Sequence, residues 1–127
     1  MTKATQGQIR QISALSQLTG LALEARLADL RRAAEMRDET RAAIAALSAP
    51  RPEPEGDISM AALARADLLY DQWVDRRRAA MNLQLARQTA AWLEHHAIAA
   101  TAFGRNDVLS RMSLALQAKL SMQRKRP

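Results

Sequence analysis

The chain has 127 residues and no cysteine, which excludes disulfide scaffolds, thiol nucleophiles and cysteine-ligated zinc and is compatible with a reducing compartment. Aromatic residues are nearly as scarce: Trp73, Trp92, Tyr70 and Phe103 make up 3% of the sequence. A β-sandwich or barrel draws on β-branched and aromatic side chains to cover its pleated faces, so that class is disfavoured. There is also no long uncharged run. The longest lies between Arg10 and Glu24, and its thirteen residues include Gln11, Ser13, Ser16, Gln17 and Thr19, too few and too polar to cross a bilayer. The opening Met1 to Gln8 lacks the apolar centre of a signal peptide. A cytoplasmic protein is the expectation.

What the chain does have is alanine, leucine and arginine. Hydrophobic residues reach 48%, with 27 alanines and 17 leucines, so the apolar content comes from small and straight-chain helix formers. Alanine buries little area, which points to a thin core between closely spaced helices. The net charge of +6 is unevenly spread: up to Asp57 eight basic residues balance eight acidic ones, and from Ile58 onward eleven face five. Sixteen of the 19 basic residues are arginine. A solvated charged face is the plain reading, and an acidic partner surface is the sharper one, because the guanidinium fork binds carboxylates and phosphates bidentately.

The one clear boundary is 48–57, which holds Pro50, Pro52 and Pro54 as well as Gly56. Alternating prolines remove backbone donors and push their neighbours toward extended conformations, so no helix crosses it. This predicts a single all-α domain over 1–127: a helix over 5–47, a proline-rich linker over 48–57, and a longer helix over 58–123 capped by Asp57 or Ser59. In the first helix Ile12, Leu15, Thr19, Leu23, Leu27, Leu30, Ala33, Met36, Thr40, Ile44 and Leu47 recur at an average of 3.5 residues, the coiled-coil period. Arg37, Asp38, Glu39 and Arg41 read as its solvated outer face. Gly20 marks a bend or a close approach. The second helix carries two adjacent stripes. One is Leu69, Trp73, Ala80, Leu83, Ala90, Leu93, Ala97 and Ala100; the other is Tyr70, Val74, Met81, Leu85, Trp92 and Ala99. Together they are wider than one seam needs, so the helix either wraps around the first or faces another molecule. The stretch 103–107 around Gly104 reads as a kink or a short break. The fold expected is an antiparallel two-helix coiled-coil hairpin whose longer second helix overhangs at its end.

Signs of chemistry are few. His95 and His96 are adjacent and so point about 100° apart on a helix, unable to chelate one metal as an i, i+4 pair does. There is no G-x-S-x-G elbow, phosphate-binding glycine loop or H-E-x-x-H motif. Asp67, Asp71 and Asp75 share one helical face and read as ion-pair partners of Arg78 and of basic residues across the hairpin. Three consecutive arginines, Arg76 to Arg78, fan around the helix, so at least one points near the seam with its stem packed there. No metal, no cofactor and no catalysis are expected. Nucleic-acid binding lacks a groove-reading element or an aromatic stacking platform.

Two stretches carry a resemblance. They are the Leu/Ala/Arg-rich run from Leu21 to Arg32 and the aromatic-bearing run from Leu69 to Arg77, with the basic tail at Arg124, Lys125 and Arg126. With the two-helix layout, they make the chain resemble the FliJ family of flagellar and type III export proteins. The resemblance implies a cytoplasmic, non-enzymatic coiled-coil stalk, similar to the rotor stalk of rotary ATPases. Such a stalk engages a hexameric export ATPase and contacts the export gate and export chaperones at the inner membrane. By residue character, Arg111, Lys119, Arg124, Lys125 and Arg126 are the candidates for the ATPase ring. Leu69, Tyr70 and Trp73 are the candidates for the gate or a chaperone, although burial of Tyr70 and Trp73 in the seam is the favoured state for those two; Arg76 and Arg77 are further candidates for partner binding. The alternatives are a structural or assembly subunit that packs into a larger complex, with a homodimer compatible, and a basic nucleic-acid-associated helical protein.

Overall fold

A computed structural model describes residues 2–125. It holds two α-helices, α1 (Thr2–Ala46) and α2 (Met60–Lys125), and among the described residues there is no strand. They pack as an all-α hairpin, as expected from the apolar spacing and the proline boundary.

The helix ends follow from local chemistry. After Ala46 the backbone N–H groups of Leu47, Ser48 and Ala49 donate to the carbonyls of Ile44, Ala45 and Ala46 at 3.1, 3.1 and 3.2 Å. This tightened last turn satisfies carbonyls that a plain helix end would orphan. Pro50 then has no N–H with which to continue. Gly56 takes a φ of 102° in the linker, a conformation that glycine adopts without a Cβ penalty. α2 begins at Met60, two residues later than expected. Ser59 is its cap: the Ala62 N–H donates to Ser59 Oγ at 3.2 Å and the Leu63 N–H to the Ser59 carbonyl at 3.0 Å.

The chain divides into two compact units. One joins α1 up to Arg32 with α2 from Leu93 onward. Its inward positions run Ile9, Ile12, Ser16, Thr19, Leu23, Leu27, Leu30 on α1 and Ala99, Ala102, Asn106, Leu109, Ser113, Leu116, Leu120 on α2. Each set averages 3.5 residues per step. Leu15, expected in the seam, is 49% exposed, and Ser16 takes the inward place. The seam is partly polar: the Thr19 hydroxyl shares its hydrogen bond between Asn106 Oδ1 and the Ser16 carbonyl, each at 3.0 Å. Gly20 faces the same asparagine, where an added Cβ would meet Oδ1 at 3.7 Å. Polar pairs of this kind specify register at some cost in stability.

The second unit is Ala33–Trp92. Ala33, Thr40, Val74 and Met81 are buried there, and among the described residues no large side chain falls below 2% exposure. Met36 is 55% exposed. In its place Arg37 turns inward, its guanidinium 4.5 Å from the centroid of Trp92 and its Nε 3.1 Å from Asp38 Oδ1. Arg37 therefore belongs to the seam and not to the solvated face expected of it, because an arginine stem with a cation–π partner is tolerated where an alanine-rich neighbour leaves room.

The overhang also falls at the other end of α2. Ser48 accepts a hydrogen bond from Arg78 Nη2 at 3.1 Å, so α1 ends opposite Arg78. Among the surplus turns Met60–Arg77, Asp67 and Tyr70 are met by Arg51 of the proline-rich segment, which acts there as a strap. In the first unit the segments contributed by α1 and α2 are nearly equal, and the end of α2 has its partner.

α2 passes through 103–107 as unbroken helix. Gly104 is exposed, and a Cβ there would meet nothing within 4 Å, so a glycine in an otherwise helix-favouring run costs propensity without ending the helix. Gly104→Ala is expected to raise stability by about 0.5–1 kcal/mol, read as a higher midpoint in chemical denaturation. Gln88 Oε1 is buried without a hydrogen-bond partner among the described residues. Gln88→Leu removes that orphan acceptor and should stabilise the hairpin by about 1 kcal/mol; a loss of stability in the same assay would show the amide to be satisfied in solution.

Candidate interaction surface

A helix with one neighbour hides one strip of its circumference, and α2 carries two apolar strips. Tyr70, Val74, Met81, Leu85 and Trp92 turn inward in the Ala33–Trp92 unit. The other stripe stays outside: Leu69 is 58% exposed, Trp73 53% and Leu83 56%, with Ala80 exposed between them. Of the two outcomes expected for the excess, α2 does not wrap to bury it.

Trp73 is exposed and yet held. The Arg51 guanidinium stands 4.1 Å from the centroid of Tyr70, and its Nη1 reaches Asp67 Oδ1 at 2.7 Å. The Tyr70 ring lies 5.8 Å from the Trp73 ring at a tilt of 32°. The strap residue Arg51 thus pins Tyr70, and Tyr70 braces Trp73 through an offset aromatic pair. The expectation of burial holds only in part for Tyr70, which is half-buried, and fails for Trp73. The reason is register: Trp73 follows Tyr70 by three residues and precedes Val74, and Val74 takes the inward position. The carboxylate row is also rearranged. Asp67 pairs with Arg51 from the strap, and Arg78, expected to support the row, turns to Ser48 with its stem half-buried.

Around the exposed stripe the charge has one sign. Arg76 lies seven residues from both Leu69 and Leu83, Arg87 seven from Ala80, and Arg65 four before Leu69, so these three stand within the line Leu69–Trp73–Ala80–Leu83, and Arg77 stands beside it at i+4 from Trp73. All four are exposed, and none forms an ion pair among the described residues. Asp67, Asp71 and Asp75 project from the other side of the helix.

The structure therefore brings Leu69, Tyr70, Trp73, Arg76 and Arg77 together in one unit. The remaining sequence candidates lie in the other. Arg111 Nε is held by Asp107 Oδ2 at 3.1 Å, while Lys119, Arg124 and Lys125 are exposed; Arg126 lies outside the described residues. That unit also has a groove of about 300 Å³ lined by Thr19, Ala22, Arg26, Ile98, Thr101 and Arg105, among others, with no histidine or carboxylate in its lining. His95 is half-buried and His96 exposed. Among the described residues no group of three or more histidine, aspartate or glutamate side chains is placed to hold a metal, and no helix is long and apolar enough to cross a membrane.

Sequence reasoning missed Arg51, Arg37 and Arg87. Arg51 sits between Pro50 and Pro52, and its spacing from Asp67 and Tyr70, sixteen and nineteen residues away, carries no periodic signal. Arg37 looks like surface charge within a charged run. Arg87 could have been found, since it continues the Trp73 stripe by two heptads.

No family model, curated protein or solved structure matches this chain.

The two tryptophans separate cleanly. Trp73→Ala should change stability by less than about 1 kcal/mol, because its ring is half in solvent. Trp92→Ala removes an inward ring and the partner of Arg37 and should cost about 3 kcal/mol. Urea titration of the two variants decides it, with equal losses overturning the assignment of seam and face.

Proposed function

We propose that this chain is a non-enzymatic adaptor of a flagellar or type III protein export apparatus, a coiled-coil stalk that engages a hexameric export ATPase and the export gate or its chaperones. The observation that carries this reading is the apolar stripe Leu69–Trp73–Leu83, left in solvent while its parallel stripe forms the seam. A hairpin that retains such a face, braced from behind by Arg51 and Tyr70, is suited to holding another protein. Exposed Lys119, Arg124 and Lys125 at the end of α2 support contact with an acidic ring through positively charged rim groups, which act mainly on encounter rate and specificity.

A structural or assembly subunit is the second reading. It is favoured by exposed apolar residues in the other unit as well, with Leu18 at 62% and Leu114 at 66%. The alternatives differ in what they do to an enzyme. Adding the purified chain to the export ATPase encoded in the same genome should raise its hydrolysis rate. The triple substitution Lys119→Glu, Arg124→Glu, Lys125→Glu should abolish that effect with the circular dichroism unchanged. No stimulation and no co-sedimentation at low salt would rule out the stalk and leave the assembly subunit.

A further inference from the structure

The exposed stripe of α2 is specific enough to define the chemistry of what covers it. We infer that the face formed by Leu69, Trp73, Ala80 and Leu83 is a docking site for an acidic amphipathic helix of another protein, with Trp73 as its anchor. The inference rests on the adaptor reading only in that the chain holds a protein partner; the export assignment is not needed for it.

Three features converge. The apolar positions sit at helical spacing on a helix, and the small residues Ala66 and Ala80 leave space beside Trp73 for a second helix to lie close. Trp73 is preorganised: Arg51 bonded to Asp67 covers one face of Tyr70, and Tyr70 braces the indole at 5.8 Å. An aromatic fixed before binding loses little rotamer entropy on contact, which is the character of an interface anchor. Finally, the charged residues interspersed along the stripe and beside it are all basic, and an arginine stem can lie along an apolar strip while its guanidinium reaches to the edge. Arg65, Arg76, Arg77 and Arg87 are exposed without an ion pair among the described residues, and the strap's own acids, Glu53, Glu55 and Asp57, form none with them.

That one-signed charge selects among occupants. A second copy of this chain, set face to face, would bring four arginines against four and repel. A nucleic acid would meet alanine and leucine where it wants further cations or stacking rings. An anionic membrane would need a broad apolar face, and here Arg76 and Arg77 flank the tryptophan within one turn on both sides. A helix with its own narrow apolar stripe edged by glutamate or aspartate meets both the apolar positions and the guanidinium groups that reach out from between them.

The test uses the full chain and two synthetic helical peptides of about three heptads. Both have the same Leu/Ala stripe, edged by glutamate in one and by lysine in the other, and fluorescence anisotropy of the labelled peptide is read at physiological ionic strength. The glutamate peptide should bind about tenfold or more tightly than the lysine peptide. Trp73→Ala should weaken it about tenfold and Trp73→Phe less, while Leu114→Ala in the other unit leaves it unchanged. The double variant Arg76→Glu, Arg77→Glu should reverse the preference. Equal binding of the two peptides, binding indifferent to Trp73, or no binding at all overturns the inference. So does Trp73-dependent capture of phosphatidylglycerol vesicles or single-stranded RNA in place of the peptide, or a Trp73-dependent homodimer in sedimentation. If the glutamate peptide binds as expected and the export ATPase is not stimulated, the docking site stands and the export reading falls.

Discussion

A helix can bury only the strip that faces its neighbour, and the organisation of this protein follows from α2 carrying two such strips opposite a single partner. The stripe through Val74, Met81 and Trp92 is turned inward and supplies the seam, while the one through Leu69 and Trp73 stays in solvent. The stripe left outside therefore follows from packing two helices, and it can be covered only by another molecule. That constraint links the fold to function: the same shortage of neighbours that makes the core thin creates the surface on which the proposed role depends.

The seam itself is built from compromises. Alanine, threonine and serine allow close approach but contribute little burial, and Thr40 spends its hydroxyl on its own helix, bonding the Met36 carbonyl at 3.2 Å. Arg37 over Trp92 and Thr19 against Asn106 supply directional contacts where hydrophobic ones are weak. Such contacts favour one register over neighbouring ones, since a slip would separate each donor from its partner. The strap extends this logic to the turns of α2 that α1 does not reach. An extended proline-rich segment cannot offer a regular apolar face, so it attaches by single contacts, Arg51 on Tyr70 and Asp67, and Ser48 on Arg78.

Much of the fold was legible in the residues. The prolines at 50, 52 and 54 located the boundary between the helices, Ser59 was one of two expected caps, and the 3.5-residue spacing marked most of the α1 seam. The errors share a cause. Periodicity ranks residues by apolarity, so Leu15 and Met36 were placed inward ahead of Ser16 and Arg37. The overhang was expected at the end of α2 because helix lengths alone do not say which ends are aligned. Glycine at 104 suggests a kink or break from sequence, yet an exposed glycine in a long helix costs only about 1 kcal/mol and α2 runs through it. For the candidate surface, Leu69, Trp73, Arg76 and Arg77 were picked out by character, while the brace behind them was invisible, since Arg51 meets Tyr70 only once the strap folds back.

The sequence by itself determined that this is an all-helical chain, where its two helices are divided, and that one of them has more apolar circumference than a single partner can cover. These depend on local propensity and period, which are properties of neighbouring residues. Only the tertiary structure decided which of the two α2 stripes is buried, where the surplus turns lie, and that Trp73 is presented outward on a braced ring. Those outcomes depend on register between segments far apart in the chain, and register is set by the sum of many weak contacts that no single stretch of sequence contains.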